Sequence, residues 1–118
     1  MSELFDGDRN DFLKLLENND KLAIFKFTAE WCKPCQSIKK EVDQHFKNIS
    51  SDVVKCYEVN IDESFDLFAY MKTKKMVKGI PVLMVYKKGT TSFAPDDSVI
   101  GGNLDNVNAF FERCKTML

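Results

Sequence analysis

Histidine and tryptophan each occur once in this chain, at His45 and Trp31, and neither sign of charge prevails, with 17 Lys and Arg against 18 Asp and Glu. One imidazole gives no histidine cluster to hold a metal. A net charge of −1 argues against non-specific nucleic-acid binding as the main activity. Long apolar runs are missing, so the sequence offers no membrane-spanning segment. The first six residues are acidic and lack the basic stretch and apolar core of a secretory signal, which makes the cytoplasm the expected address. No repeat, low-complexity tract or linker divides the 118 residues, whose 44% hydrophobic content suits one domain with one core.

Cysteine is scarce too, and only two of the four are spaced for joint chemistry. Cys32 and Cys35 lie in Trp31-Cys32-Lys33-Pro34-Cys35, directly after the strand-like run Leu22 to Thr28. A Cys-x-x-Cys where a strand turns into a helix is a redox device. The first thiol stands at the helix N-terminus, where unpaired N–H groups and the helix dipole stabilise a thiolate, so Cys32 is the expected nucleophile. The second falls one turn in, more shielded from water and close enough to attack a mixed disulfide, so Cys35 is the expected resolving thiol. Cys56, in the run Val53 to Ile61, and Cys114, on an apolar helical stripe with Val107, Phe110 and Phe111, read as core thiols. His45 reads as a surface or packing residue of the helix after the dithiol, not as a cysteine's catalytic partner.

Strands alternate with helices along the chain. A short edge strand is expected over Ser2 to Asp6, then a helix capped by Asp8 and carrying Phe12, Leu13, Leu15 and Leu16 to Asn18. After the strand ending at Thr28, the helix begun at the cysteines places Ile38, Val42, Phe46 and Ile49 at spacings of three and four. Val53 to Ile61 is the next strand, and Asp62-Glu63-Ser64 opens a helix through Phe65, Leu67, Phe68 and Met71. Two such passages in a row imply parallel strands with right-handed crossovers. Ile80 to Tyr86, the turn Lys87-Lys88-Gly89 and a strand within Thr90 to Ile100 predict a hairpin, followed by a last helix, Leu104 to Met117.

Four features in this order resemble the thioredoxin family over nearly the whole chain. They are Trp31 to Cys35 after a strand, Val59-Asn60-Ile61-Asp62-Glu63 at the end of the next, Gly79-Ile80-Pro81 entering the hairpin, and Gly101 before the final helix. The resemblance implies the α/β thioredoxin fold, a central mixed β-sheet of about four to five strands flanked by about four helices. It implies a thiol–disulfide oxidoreductase that reduces protein disulfides and needs no cofactor beyond the redox-active Cys32–Cys35 pair. Its electrons would come from a thioredoxin-reductase-like flavoprotein. Trp31 is then expected to shield one side of the dithiol and offer substrates a flat apolar surface. Pro34 pre-sets φ for the first helical turn. The Ile80–Pro81 bond, which the residues alone would leave trans, is expected to be cis and to face the dithiol, freeing the Ile80 backbone to pair with an extended substrate. Gly101 would line the same groove without a side chain. A groove that must stay open around Trp31 favours a monomer.

Several residues depart from the family pattern. Where members bury an acid in the strand before the dithiol, this chain has Lys26, and the neighbouring strand position carries Glu58. Either the two form a swapped ion pair beneath Cys35, with the ammonium lowering the thiol pKa and Glu58 able to accept a proton, or Lys26 snorkels to solvent. Lys33 replaces a glycine, and its charge should favour the Cys32 thiolate and make the couple somewhat more oxidising. Lys40 stands for a kinking proline, which suggests a straighter helix. Met71 to Lys78 and Ser92 to Asp97 exceed the usual length, and either decorate the rim of the substrate groove or vary without function. Two other classes compete with the enzyme. One is a binding or scaffold module with an incidental dithiol; the other is a metal-binding dithiol, for which one cysteine pair supplies too few ligands.

Overall fold

The apolar run before the dithiol becomes the middle of a sheet. In the computed structural model, which describes residues 2–118, β1 (Ser2–Phe5), α1 (Arg9–Glu17), β2 (Leu22–Thr28), α2 (Lys33–Asn48) and β3 (Val54–Asn60) come first. They are followed by α3 (Phe65–Thr73), β4 (Val82–Tyr86), β5 (Asp97–Ile100) and α4 (Leu104–Lys115). The sheet order is β1-β3-β2-β4-β5. β1 and β2 run parallel to β3, while β4 is antiparallel to β2 and β5. β2 is buried on both faces because helices cover each side, which is why its sequence is nearly continuously apolar rather than alternating.

Local chemistry sets the helix ends. The Asp8 carboxylate accepts hydrogen bonds from the Asn10 and Asp11 N–H groups, both at 2.9 Å, and Asp11 accepts from the Asp8 N–H, closing a capping box on α1. Asn103 accepts from the Asn106 N–H at 3.0 Å and caps α4. Ser64 precedes α3 but does not cap it; its hydroxyl donates to the Phe5 carbonyl at 3.3 Å and ties α3 to β1.

Two apolar layers flank the sheet. One joins Phe5, Phe12, Phe25, Leu67, Met71 and Tyr86 beneath α1 and α3. The other joins Ile24, Val42, Phe46, Leu83, Phe110 and Phe111 beneath α2 and α4. His45 belongs to the second interface: half-buried, it stacks on Phe111 with ring centroids 4.1 Å apart and shares a 2.7 Å hydrogen bond with Asn108.

Cys56 and Cys114 are unbridged and buried in that layer, and burial pushes each thiol up to about 12. Neither should react with a thiol reagent in the folded oxidised protein at neutral pH, whereas both should react promptly in denaturant. The unfolded chain ionises these thiols from about pH 9 upward and the folded chain does not. Their contribution to stability is therefore complete below that pH and is lost progressively towards pH 12. A thiol titration with and without denaturant checks the first statement, and stability curves between pH 8 and about 11 check the second.

The second hairpin strand is short because the segment before it folds elsewhere. Asp96 accepts from the Lys87 N–H at 2.7 Å and the Thr90 hydroxyl at 2.8 Å, while the Tyr86 hydroxyl donates to the Phe93 carbonyl at 2.6 Å. Phe93 stacks on Phe12 and packs against Tyr70. Tyr86 pairs with Ala23 near the start of β2, so this loop sits at the end of the sheet away from the dithiol. Of the two readings for Ser92 to Asp97, decoration of the substrate groove is therefore wrong; the segment closes the α1–α3 layer.

Candidate active site

β2 delivers the chain to the dithiol. Beyond Thr28, Ala29 is buried and its carbonyl accepts from the Cys32 N–H at 3.2 Å, folding Glu30 and Trp31 into a turn. Cys32 is the N-cap of α2, and its sulfur accepts a hydrogen bond from the Cys35 N–H at 3.2 Å. That bond places an unpaired helix N–H and the positive end of the helix on the sulfur expected to carry negative charge. Pro34 occupies the first turn, where an N–H would have no helical partner. Cys32 and Cys35 form a disulfide with Cα atoms 5.2 Å apart. Cys35 is fully buried and Cys32 is 5% exposed, so the order of shielding agrees with expectation, although Cys32 presents only an edge to solvent.

Trp31 is 66% exposed and is held by one polar contact, its indole N–H donating to Asp62 Oδ2 at 2.9 Å. The turn after β3 supplies that carboxylate, itself fixed by the Asp62 N–H donating to Asn60 Oδ1 at 2.8 Å. Across the site, the Ile80–Pro81 bond is cis. Val82 pairs with Phe27, so Pro81 comes beside the end of β2 that leads to the cysteines. The Ile80 N–H and carbonyl have no hydrogen-bond partner among the described residues. The Pro81 carbonyl is taken by the Gly101 N–H at 2.9 Å.

Gly101 needs its glycine for conformation, with φ at +96° and open space where a Cβ would be. The close approach belongs to Gly102, where a Cβ would meet Ser37 Oγ at 3.2 Å, Pro34 Cβ at 3.3 Å and the Pro34 carbonyl at 3.4 Å. Reading the sequence for a groove glycine picks out Gly101 and misses Gly102, which packs the α4 entry against the first turn of α2. The Gly101-Gly102 pair was the available signal.

Lys26 lies on β2 opposite Glu58 of β3, 1% exposed, with its ammonium 3.6 Å from Glu58 Oε1. The snorkelling alternative is thereby excluded and the ion pair is present. Burial lowers the Lys26 pKa, with the Glu58 carboxylate opposing the shift and Asp43 and Lys39 of α2 acting more weakly. Cys35, Lys39 and Asp43 recur at four-residue intervals along α2, so the buried pair faces the stripe of the helix that begins with the resolving cysteine. Lys33 is exposed beside Cys32 and forms no ion pair among the described residues.

The geometry agrees with comparisons to known proteins. Residues 4–112 match the family model described as Thioredoxin. A thioredoxin of Geodia cydonium is 34% identical over 94 residues, covering 79% of this chain and 80% of the relative. For a Rickettsia bellii thioredoxin the values are 31% over 71 residues, 60% of this chain and 63% of the relative. Among solved structures, Trichomonas vaginalis thioredoxin superposes with a TM-score of 0.74 at 21% identity, covering 96% of each chain. Fasciola hepatica thioredoxin gives 0.72 at 26% identity, covering 94% of this chain and 97% of that one. With its dithiol at the start of α2, a cis-proline beside it and a five-stranded mixed sheet beneath, the chain belongs to the thioredoxin family of thiol–disulfide oxidoreductases.

Proposed function

We propose that this chain works in the reducing direction, with Cys32 as nucleophile and Cys35 as resolving thiol. The observation that carries the assignment is the Cys35 N–H pointing at Cys32 Sγ at 3.2 Å, a bond that strengthens when the acceptor is a thiolate. The Cys32 thiolate attacks one sulfur of a substrate disulfide, forming a mixed disulfide and releasing the other substrate sulfur as a thiolate. Cys35, losing its proton, then attacks Cys32 Sγ. The mixed disulfide breaks, the second substrate thiolate leaves, and the Cys32–Cys35 disulfide remains. Two electrons have passed to the substrate, and a thioredoxin-reductase-like flavoprotein returns two. The sulfurs carry the electrons, so the cycle needs no bound cofactor. The free Ile80 backbone and the Trp31 face support binding of an extended substrate segment, with Gly101 leaving its approach open. We assign the chain to a reducing compartment, the cytoplasm, and to a monomeric state. Two unbridged cysteines suit that compartment.

Lys26 and Glu58 take the proton-handling role: the buried ammonium favours the Cys35 thiolate, and the 29% exposed Glu58 carboxylate connects the pair to solvent. Removing the ammonium raises the Cys35 thiol pKa, so Lys26→Ala should move the alkaline limb of the reduction rate upward by about one pH unit, with the fold retained. Stopped-flow rates between pH 6 and about 10 test this; an unshifted limb overturns the role.

A redox titration read by Trp31, the sole tryptophan, tests the function itself. A two-electron transition more reducing than about −220 mV supports the reductase, and one near −180 mV, in the isomerase range, overturns the direction. Absence of any dithiol transition would return the chain to the scaffold class.

A further inference from the structure

Phe65 is an aromatic residue that neither the core nor the dithiol chemistry uses. It opens α3 and is 69% exposed, whereas the same helix buries Leu67, Phe68 and Met71. An exposed phenylalanine at this position contributes little to folding and leaves its apolar surface for a partner. Its position is informative. Asp62, which holds the Trp31 indole at 2.9 Å, lies three residues before it in the turn that starts α3. The turn is fixed by the Glu63 and Ser64 N–H groups donating to the Asn60 carbonyl at 3.1 and 2.9 Å. That hydrogen-bonded turn forms one rim of the site, with Trp31 bonded to it and Phe65 following it in the chain, both exposed.

Carboxylates outnumber cations along that rim, where Lys33 beside Cys32 is the exposed basic residue. Glu30, Asp62 and Glu63 are exposed there, and among the described residues the Asp62 carboxylate accepts only from the uncharged Trp31 indole. Asp66 is neutralised by Arg9 at 3.1 Å, which confines the acidity to the edge next to Trp31. On the cis-proline side the exposed charge is Lys78, two residues before Ile80. A substrate segment crossing the dithiol from Ile80 to Phe65 therefore meets lysine first and carboxylates last.

We infer that Phe65, with Trp31 and the Glu30–Glu63 rim, is a specificity-determining surface for disulfide substrates that carry a bulky apolar residue and a basic residue beside the reacting half-cystine. The inference rests on the proposed reductase reading and names the substrate class for the same site. The apolar side chain packs on the two aromatic faces, which lose little conformational freedom on contact. The basic residue is attracted by the carboxylates and strengthens encounter more than the final contact. Phe65 touches no reacting atom and is not a catalytic residue.

Two disulfide-closed peptides, identical except for Leu-Lys or Ser-Glu beside one half-cystine, test the inference, with hydroxyethyl disulfide as a small substrate that cannot reach the rim. The wild-type protein should reduce the Leu-Lys peptide with a kcat/KM about fivefold to tenfold above the Ser-Glu peptide. Phe65→Ser should remove most of that preference through KM, leaving kcat and the hydroxyethyl disulfide rate unchanged. Glu63→Lys should weaken the Leu-Lys preference and its dependence on salt. Equal rates on the two peptides, or a Phe65→Ser loss shared by all three substrates, overturns the inference. Concentration-dependent dimerisation abolished by Phe65→Ser also overturns it, assigning the rim to a second copy of the chain. Failure to reduce hydroxyethyl disulfide would instead strike the reductase reading itself, so the two failures are distinguishable.

Discussion

Cys32→Ser should lower reduction of a protein disulfide to the rate of the uncatalysed exchange, while Cys35→Ser should stop after one turnover with the substrate covalently attached. The asymmetry follows from position. Only Cys32 sits at the helix N-terminus with an N–H bond on its sulfur and an edge open to solvent. A serine hydroxyl there is a far poorer nucleophile, because its proton is not released near neutral pH and oxygen does not exchange with disulfides. Without Cys35 the attack by Cys32 still proceeds, but nothing within the protein can break the mixed disulfide. Cys56 and Cys114 cannot substitute, since both are buried with their thiols pushed up to about 12. Mass spectrometry after mixing the reduced variant with a disulfide peptide should show one adduct per Cys35→Ser molecule and none on Cys32→Ser. An adduct on Cys32→Ser would reverse the roles given to the two cysteines.

The largest effect on stability should come from Phe12→Ala. Phe12 is fully buried on α1, and its ring meets Phe5 at 5.9 Å, Phe25 at 4.8 Å, Tyr86 at 5.5 Å and Phe93 at 5.8 Å between centroids. One side chain therefore joins β1, β2, β4 and the loop before β5. Truncation removes the transfer free energy of the ring and leaves a cavity that the sheet beneath cannot collapse to fill, for a cost of roughly 3–5 kcal/mol. For a chain of this size that corresponds to a fall in Tm of roughly 10–20 °C. Denaturant unfolding should show the loss in midpoint with little change in slope. A loss below about 1 kcal/mol would mean that the α1–α3 layer is held by other contacts.

The same cluster shows why some of the architecture could be read in advance and some could not. The Asp8 cap, the apolar spacing of Phe12 and Leu16, and the Ile38, Val42, Phe46 stripe are local signals, and each became the expected helix. The boundaries moved where a distant partner intervened. The strand expected from Ile80 begins at Val82, after a proline that has no N–H for the ladder. The strand expected within Thr90 to Ile100 is confined to Asp97–Ile100 because Phe93 is drawn into the aromatic cluster. At the site, the dithiol was legible from its own spacing and the cis-proline through the family resemblance, while Lys26 was left between an ion pair with Glu58 and an exit to solvent. The hydrogen bond between Trp31 and Asp62 was not legible, because 31 residues separate the two and neither carries a local mark of the other.

By itself the sequence determined what depends on neighbours along the chain: helix caps, apolar periodicities, and a thiol pair placed where a strand becomes a helix. These act within a turn or two, through backbone hydrogen bonds and side-chain spacing. Only the tertiary structure decided that Lys26 is buried against Glu58 instead of reaching solvent, that Gly102 is the glycine packed on α2, and that Phe65 at the start of α3 stays exposed. Each of those outcomes depends on strand register and on which surfaces the packed helices leave open. Both are set by the summed burial of residues far apart in the chain, so no short stretch of sequence contains them.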